Sequence, residues 1–563
     1  MLLARLVPLS LLALVPGCAG DTPTDPAPDR PAVAMQPPEP DEPSTPPAPT
    51  PPPPAEQAEQ VLEEVTVVES KPVETESAFD SNHWNSAVGL GGGAGGRYGG
   101  RGGKARDAES ESYASVAASG FLAVEDAPLS TFAADVDTAS FTNVARMLRD
   151  GELPPADAVR VEEFVNACRY AVPRPGPRET FAVASEVTAC PWTDGHRLVR
   201  LSVATAPIET DKLPPCNLVF LIDVSGSMRA ADKLPLLQQA FGLLSAELRP
   251  QDRVAIVTYA SGVRVALEPV AGSERARILE AVQGLQTRGG TDGAGGIQRA
   301  YELAKQNLVT GVNRVILATD GDFNIGIRSA DELEAFIAAK KDDGVFLSVL
   351  GFGTGNLKDD RLERLANRGN GVYSYVDSLH TARRLLVEEL GASLMTVAKD
   401  VKLQAEWNPK RVARYRLLGY ENRALEAKDF RDDAKDGGEV GAGHVVTALY
   451  QVEPREAPDA AGPLATLRIR YKPPEGSTSR EVEHVVPAEP AAEPTSDGRL
   501  AATAAAFAMC LRAAEHDTEV SLDDVVALAQ RLDPARHREL TAMVARAVEL
   551  TAARTVSADG AAK

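Results

Sequence analysis

The sequence predicts an α/β protein. Its core is a doubly wound, mostly parallel sheet, framed by an antiparallel β-sandwich built from the flanking segments, with further helices at the C-terminal end. Three observations carry this prediction. Between residues 218 and 390, short apolar runs alternate with amphipathic helical runs, the pattern of a parallel sheet covered on both faces. After residue 392 the period changes to polar–apolar alternation, as in antiparallel strands with one wet face. Similar strand-like runs, 181–187 and 196–204, precede the α/β stretch, which places partners for the later strands ahead of it.

Within the α/β stretch the predicted strands are 218–222, 253–259, 263–267, 314–319, 345–351 and 371–376. The predicted helices are 234–248, 274–285, 297–307, 330–341, 359–368 and 379–390. The 263–267 run follows the 253–259 run so closely that it reads as a hairpin with an antiparallel edge strand. Leu234, Leu237, Phe241, Leu244 and Leu248 recur at helical spacing and are expected to face the core. Ahead of the stretch, 132–137 is strand-like, Thr138-Ala-Ser140 has the chemistry of a helix cap, and 159–170 is a second short amphipathic helix. Behind it, 401–407, 412–420, 444–452, 464–471 and 481–486 read as strands. Helices over 499–515, 522–531 and 534–551 then read as a small cap.

The first 18 residues hold one arginine, a short apolar run and then Val15-Pro-Gly-Cys18. The run is too short to span a bilayer as a stable helix and reads as an export signal. Its end resembles a bacterial lipoprotein processing site, which would make Cys18 the lipid-bearing residue, although Pro16 departs from the usual pattern. Residues 19–110 are rich in proline and then in glycine and read as a disordered tether. Within it, 61–69 is a strand-like island and 91–103 an arginine-glycine stretch, read as linker rather than as an RNA-binding segment. The expected domains are therefore a signal over 1–18, a linker over 19–110, an N-terminal domain over 111–212, the α/β domain over 213–392, and a sandwich with helices over 393–555.

Charge narrows the function. Lys plus Arg number 59 and Asp plus Glu 80, for a formal net charge of -21. Such an excess disfavours non-specific binding to nucleic acid or to an anionic membrane surface. Cys168, Cys190, Cys216 and Cys510 lack metal-binding spacing, and their pairing is left open between free thiols and any of three disulfide arrangements. The seven histidines show no i, i+4 pair, so zinc has no support.

The chemistry concentrates at Asn217-Leu-Val-Phe-Leu-Ile-Asp-Val-Ser-Gly-Ser-Met228. An apolar strand stops at Asp223 and is followed by the hydroxyls of Ser225 and Ser227. The glycine-rich loop 289–296 carries Thr291, and Asp320 ends the later strand. In a doubly wound sheet such loops meet at the carboxyl edge. Carboxylate and hydroxyl oxygens are hard ligands for Mg²⁺, Mn²⁺ or Ca²⁺. Two carboxylates and three hydroxyls leave such a cation an open position, which a carboxylate from a protein partner would fill.

These residues resemble the metal-ion-dependent adhesion site of von Willebrand factor A domains, with all five positions filled: Asp223, Ser225, Ser227, Thr291 and Asp320. The stretches 132–140, 251–256, 318–324, 349–358 and Gly419-Tyr-Glu-Asn-Arg423 resemble one bacterial subfamily of exported or lipid-anchored A-domain proteins. The resemblance implies a divalent cation, most readily Mg²⁺, an acidic protein partner, and binding rather than catalysis. It places the chain at the cell envelope, tethered through Cys18, on the outer-membrane or periplasmic side.

Two other functions read from the same residues. Asp320-Gly-Asp322 would serve a metal-dependent hydrolase or phosphatase, but no nucleophile, base and phosphate-binding cations accompany it. A metal-independent envelope scaffold is the other. Gly351-Phe-Gly-Thr-Gly355 reads as a tight strand-to-helix turn.

Overall fold

A computed structural model describes residues 111–115, 117–321, 330–341, 343–355, 357–389, 394–455, 461–474, 476–513 and 519–561. The signal with Cys18, the 19–110 tether with its 61–69 and 91–103 stretches, and Asp322 lie outside the described residues.

Strand β5 (Cys216–Asp223) is the centre of a six-stranded sheet, and all eight of its residues are buried. Its neighbours are β6 (Arg253–Tyr259) and β8 (Val312–Thr319), both parallel to it, with Val219 level with Ala255 and Val315. Beyond β8 lie β9 (Phe346–Phe352) and β10 (Tyr373–Val376), again parallel. Beyond β6 lies β7 (Val263–Ala271), the antiparallel edge strand expected of the hairpin, running four residues further than the 263–267 prediction. Its ladder with β6 is irregular on either side of Ile256, which explains why alternation failed to reveal its second half.

Because side chains alternate across a strand, β5 feeds two cores. Leu218, Phe220 and Ile222 join α3 (Leu234–Glu247) and α4 (Arg275–Gln283), where Leu237, Phe241, Leu244, Ile278 and Val282 are buried. Val219 and Leu221 face α5 (Gly293–Gln306) and α7 (Asp359–Arg368), through Ile297, Tyr301, Leu362 and Leu365. Helix α6 (Ala330–Lys341) covers the same side with Leu333 and Ile337. The unbroken apolar run of β5 is thus required by burial on both faces. The predicted 379–390 helix is instead a short α8 (Leu379–Arg383) that widens into a π-turn over Arg384–Glu388.

The sandwich interleaves chain from both sides of this domain. In one sheet, β3 (Phe181–Ala189) pairs with β4 (Arg197–Thr205), which pairs with β15 (Val445–Pro454), then β12 (Val412–Leu418) and β1 (Leu122–Ala123). In the other, β2 (Leu129–Ala133) pairs with β11 (Thr396–Trp407), with Phe132 opposite Leu403, and β11 continues to β16 (Ala465–Lys472) and β17 (Arg480–Val486). β13 (Ala424–Leu425) edges β2, and β14 (Gly438–Gly441) edges β11. One buried cluster unites Val199, Leu201 and Ala448 of the first sheet with Phe132, Leu403, Trp407 and Leu467 of the second. The predicted strand 132–137 is corrected: β2 ends at Ala133, and Asp135 and Asp137 lie beyond it.

The C-terminal helices α9 (Ser496–Arg512), α10 (Leu522–Ala529) and α11 (Arg538–Ala561) form the expected cap, with two recruits. Helices α1 (Ala139–Asp150) and α2 (Val161–Asn166) pack into it, and the Phe164 ring lies 5.4 Å from Phe141 and 6.0 Å from Phe507. Thr138 is the N-cap of α1, but its side chain does not cap. Glu163 does so instead, accepting from the Ser140 amide at 2.7 Å.

Where the three segments meet, charge is buried. Asp135, Asp137, Glu162, Glu163, Asp359 and Glu363 are all nearly inaccessible, beside the guanidiniums of Arg160 and Arg423. Arg423 donates to Asp135 at 3.1 Å, to Asp137 at 3.4 Å and to Asn367 at 2.6 Å. Arg160 bridges Glu163, Asp359 and Glu363. Carboxylates outnumber guanidiniums here, and burial pushes the Asp137, Glu163 and Glu363 carboxyls upward. The Glu162 carboxyl is pushed up to about 7 by burial and by the charges of Asp135 and Glu421.

Cys168, Cys190, Cys216 and Cys510 are free thiols. Among the described residues, no helix is long and apolar enough to cross a membrane.

Candidate functional site

The site forms at the carboxyl edge of the central sheet, where β5 and β8 end side by side. Asp223 is the last residue of β5, and its carboxylate is fully buried. One oxygen accepts from the Ser225 amide at 2.8 Å and the other from the Thr319 hydroxyl at 3.2 Å. Thr319 in turn accepts from the Gly321 amide at 3.2 Å, which ties the loop after β8 to the end of β5. The Ser225 amide bond bends the chain back on Asp223, and a 3₁₀ turn over Gly226–Arg229 follows. That bend brings the Ser225 and Ser227 hydroxyls within 2.9 Å of each other.

The glycine-rich loop is anchored on both sides of Thr291. The Gly289 carbonyl accepts from the Gly226 amide at 3.2 Å, and the Asp292 amide donates to the Ala260 carbonyl at 2.6 Å. Gly289 has φ +69, and a Cβ there would meet the Ser261 hydroxyl at 2.1 Å, so the turn requires glycine. Asp292 caps α5 through the Gly295 amide, so this helix starts four residues ahead of the predicted 297. A Cβ on Gly296 would stand 3.0 Å from Tyr259 and 3.1 Å from Leu221, so the glycines let α5 lie close against the sheet.

Asp320 follows β8 directly and is fully buried. Its Oδ2 accepts from the Nζ of Lys233 at 3.0 Å. Lys233 precedes α3 and is itself buried. Burial, and to a lesser extent the Asp320 charge, push the Asp223 carboxyl up to about 6, against the hydrogen bonds it accepts.

The structure therefore gathers Asp223, Ser225 and Ser227 at the end of β5, sets the Thr291 loop against them, and brings Asp320 alongside, directly after the neighbouring strand. This donor set fits a hard divalent cation. Among the described residues, two buried carboxylates lie at this edge, one of them paired with the Lys233 ammonium, and the adjacent hydroxyls supply neutral oxygens. Sequence reasoning passed over Lys233, whose signal would have been a lone lysine just ahead of an apolar helix. A further acidic trio, Asp135, Asp137 and Glu363, has carboxylate oxygens within 4.8 Å of one another, with Arg423 already among them. No sequence spacing announces that trio, because Glu363 comes from a segment distant from the Asp135 and Asp137 pair.

The arrangement defines a von Willebrand factor type A domain protein. The von Willebrand factor type A domain profile matches residues 218–322, a von Willebrand factor profile matches 107–200, and the profile of the YfbK C-terminal region matches 392–550. The uncharacterized protein YfbK of Escherichia coli K12 is 40% identical over 441 residues, spanning 73% of this chain and 76% of that protein. This chain belongs to that family of bacterial type A domain proteins with their own C-terminal domain. Human inter-alpha-trypsin inhibitor heavy chain H2 is 26% identical over 176 residues, 30% of this chain and 18% of that protein. Among solved structures, a von Willebrand factor type A protein from Catenulispora acidiphila covers 67% of this chain and 91% of its own, with 17% identity and a TM-score of 0.38.

Proposed function

We propose that this chain is an exported, lipid-anchored envelope protein that binds a protein partner through a divalent cation held by Asp223, Ser225, Ser227, Thr291 and Asp320. One observation carries the reading: two buried carboxylates and a pair of touching hydroxyls converge at the edge of a doubly wound sheet. When bound, Mg²⁺ or a similar cation supplies a Lewis-acidic position open to a partner carboxylate. The chain's own residues do the rest. Ser225, Ser227 and Thr291 present hydroxyl oxygens, and Asp223 and Asp320 supply negative charge. The Thr319 and Ser225 hydrogen bonds fix the Asp223 carboxylate before any ligand arrives. The Met1–Cys18 stretch supports export and anchoring, and the proline- and glycine-rich segment after it supports a tether.

The test is a pull-down from envelope extract with the full chain, in Mg²⁺ and in a chelator. The reading expects partners retained in Mg²⁺ and lost both on chelation and in Asp223→Ala. Retention under both conditions would refute it.

A further inference from the structure

The Lys233–Asp320 pair is built, not incidental. The lysine is buried just ahead of α3, and its ammonium reaches Asp320 Oδ2 at 3.0 Å. Its stem runs under Gly353, the residue after β9. There φ is +74, and a Cβ would lie 2.2 Å from Lys233 Cγ and 2.3 Å from Cε. Any side chain at 353 would displace the lysine, so the glycine both adopts the left-handed turn and leaves the lysine its channel. The Gly353 carbonyl accepts from the Tyr375 hydroxyl at 2.8 Å, which fixes this roof to the end of β10. The 351–355 stretch, read from the sequence as a tight strand-to-helix turn, thus also leaves room for the lysine.

From this geometry we infer that Lys233 is an internal counter-ion that competes with the divalent cation for Asp320 and holds the affinity of the site down. The inference rests on the proposed cation site and adds its regulation. A lysine ammonium and a divalent cation cannot both sit close to one buried carboxylate without repulsion, and screening by solvent is weak at a site this enclosed. Divalent binding must either draw Asp320 away from Lys233 or proceed against its charge. The lysine also offsets the Asp320 charge when no cation is present.

The experiment is a Mn²⁺ titration of the full chain, followed by electron paramagnetic resonance and calorimetry, for the wild type, Lys233→Met, Lys233→Gln and Lys233→Arg. Methionine keeps the unbranched stem under Gly353, glutamine keeps a donor for Asp320 without the charge, and arginine keeps the charge. The inference expects Lys233→Met and Lys233→Gln to bind Mn²⁺ roughly tenfold more tightly or better, and Lys233→Arg to stay near the wild type. Thermal melts in chelator establish that each variant is folded. If the wild type binds Mn²⁺ and both neutral variants bind no tighter, Lys233 is not a competitor, while the cation site stands. If neither the wild type nor any variant binds Mn²⁺, the site and the inference fall together. Should the neutral variants not fold, nitrogen NMR of the wild-type lysine ammonium decides. A Lys233 signal that shifts on Mg²⁺ addition supports competition, and one that does not move overturns it.

Discussion

At Asp223 the end of a strand, two hydrogen bonds and a buried charge coincide, so single substitutions there are informative. Asp223→Asn keeps the shape and can still accept at one oxygen, but removes the charge on which a cation depends. Mn²⁺ affinity should fall roughly tenfold or more, measured by calorimetry, while the thermal midpoint in chelator changes little or rises, since burial disfavours the charge that the substitution removes. The grouping of Asp223, Ser225, Ser227, Thr291 and Asp320 at one sheet edge was readable in the sequence, because each follows a strand end or lies in a glycine-rich loop. Lys233 was not, since a lysine ahead of a helix looks like any solvated charge until the fold shows Asp320 and Gly353 closing around it.

Among the elements, β5 holds the sheet together and supplies the site. Phe220 is 1% exposed, and its ring lies 4.6 Å from that of Phe241 on α3. Phe220→Ala should cost about 3–5 kcal/mol in urea unfolding, because it empties the interface between the central strand and its helix. The α/β alternation was legible because a parallel sheet needs long apolar strands and amphipathic helices at regular spacing. Edge features were not. β1, β13 and β14 have two to four residues each, too few for a period, and the π-turn over Arg384–Glu388 breaks a run that looks helical throughout. The N-terminus of α1 shows the same limit. Its sequence offers a threonine as cap, yet the cap is Glu163, brought in by tertiary packing.

At the scale of the whole molecule, the flanking segments are one structure. β3 and β4 obtain their sheet from β15 and β12, and β2 obtains its own from β11. Residues 111–212 expressed alone should therefore remain unfolded by circular dichroism, and a cooperative melt of that fragment would contradict the interleaved sandwich. The buried charges at the junction add a pH dependence. The Glu162 carboxyl rises from its ordinary 4.5 to about 7 on folding. The folded state therefore binds more protons across that interval, and stability falls as pH rises from about 4.5 towards 7. Glu162→Gln should remove about 2 kcal/mol of that decline, read from urea unfolding near pH 5 and pH 7.5. Arg423→Met, which strips Asp135 and Asp137 of their shared guanidinium, should destabilise the chain by about 3–5 kcal/mol. None of this junction was visible as a motif, although two stretches that carry the family resemblance, 132–140 and 419–423, supply Asp135, Asp137 and Arg423 to it.

The central claim is that the carboxyl edge of the sheet holds a divalent cation that a partner then completes. Calorimetric titration of Mn²⁺ into the full chain, beside Asp223→Asn, tests it most directly. The account predicts one saturable site in the wild type that is weakened roughly tenfold or more by the substitution. Equal binding by the two proteins, or none by either, would contradict it.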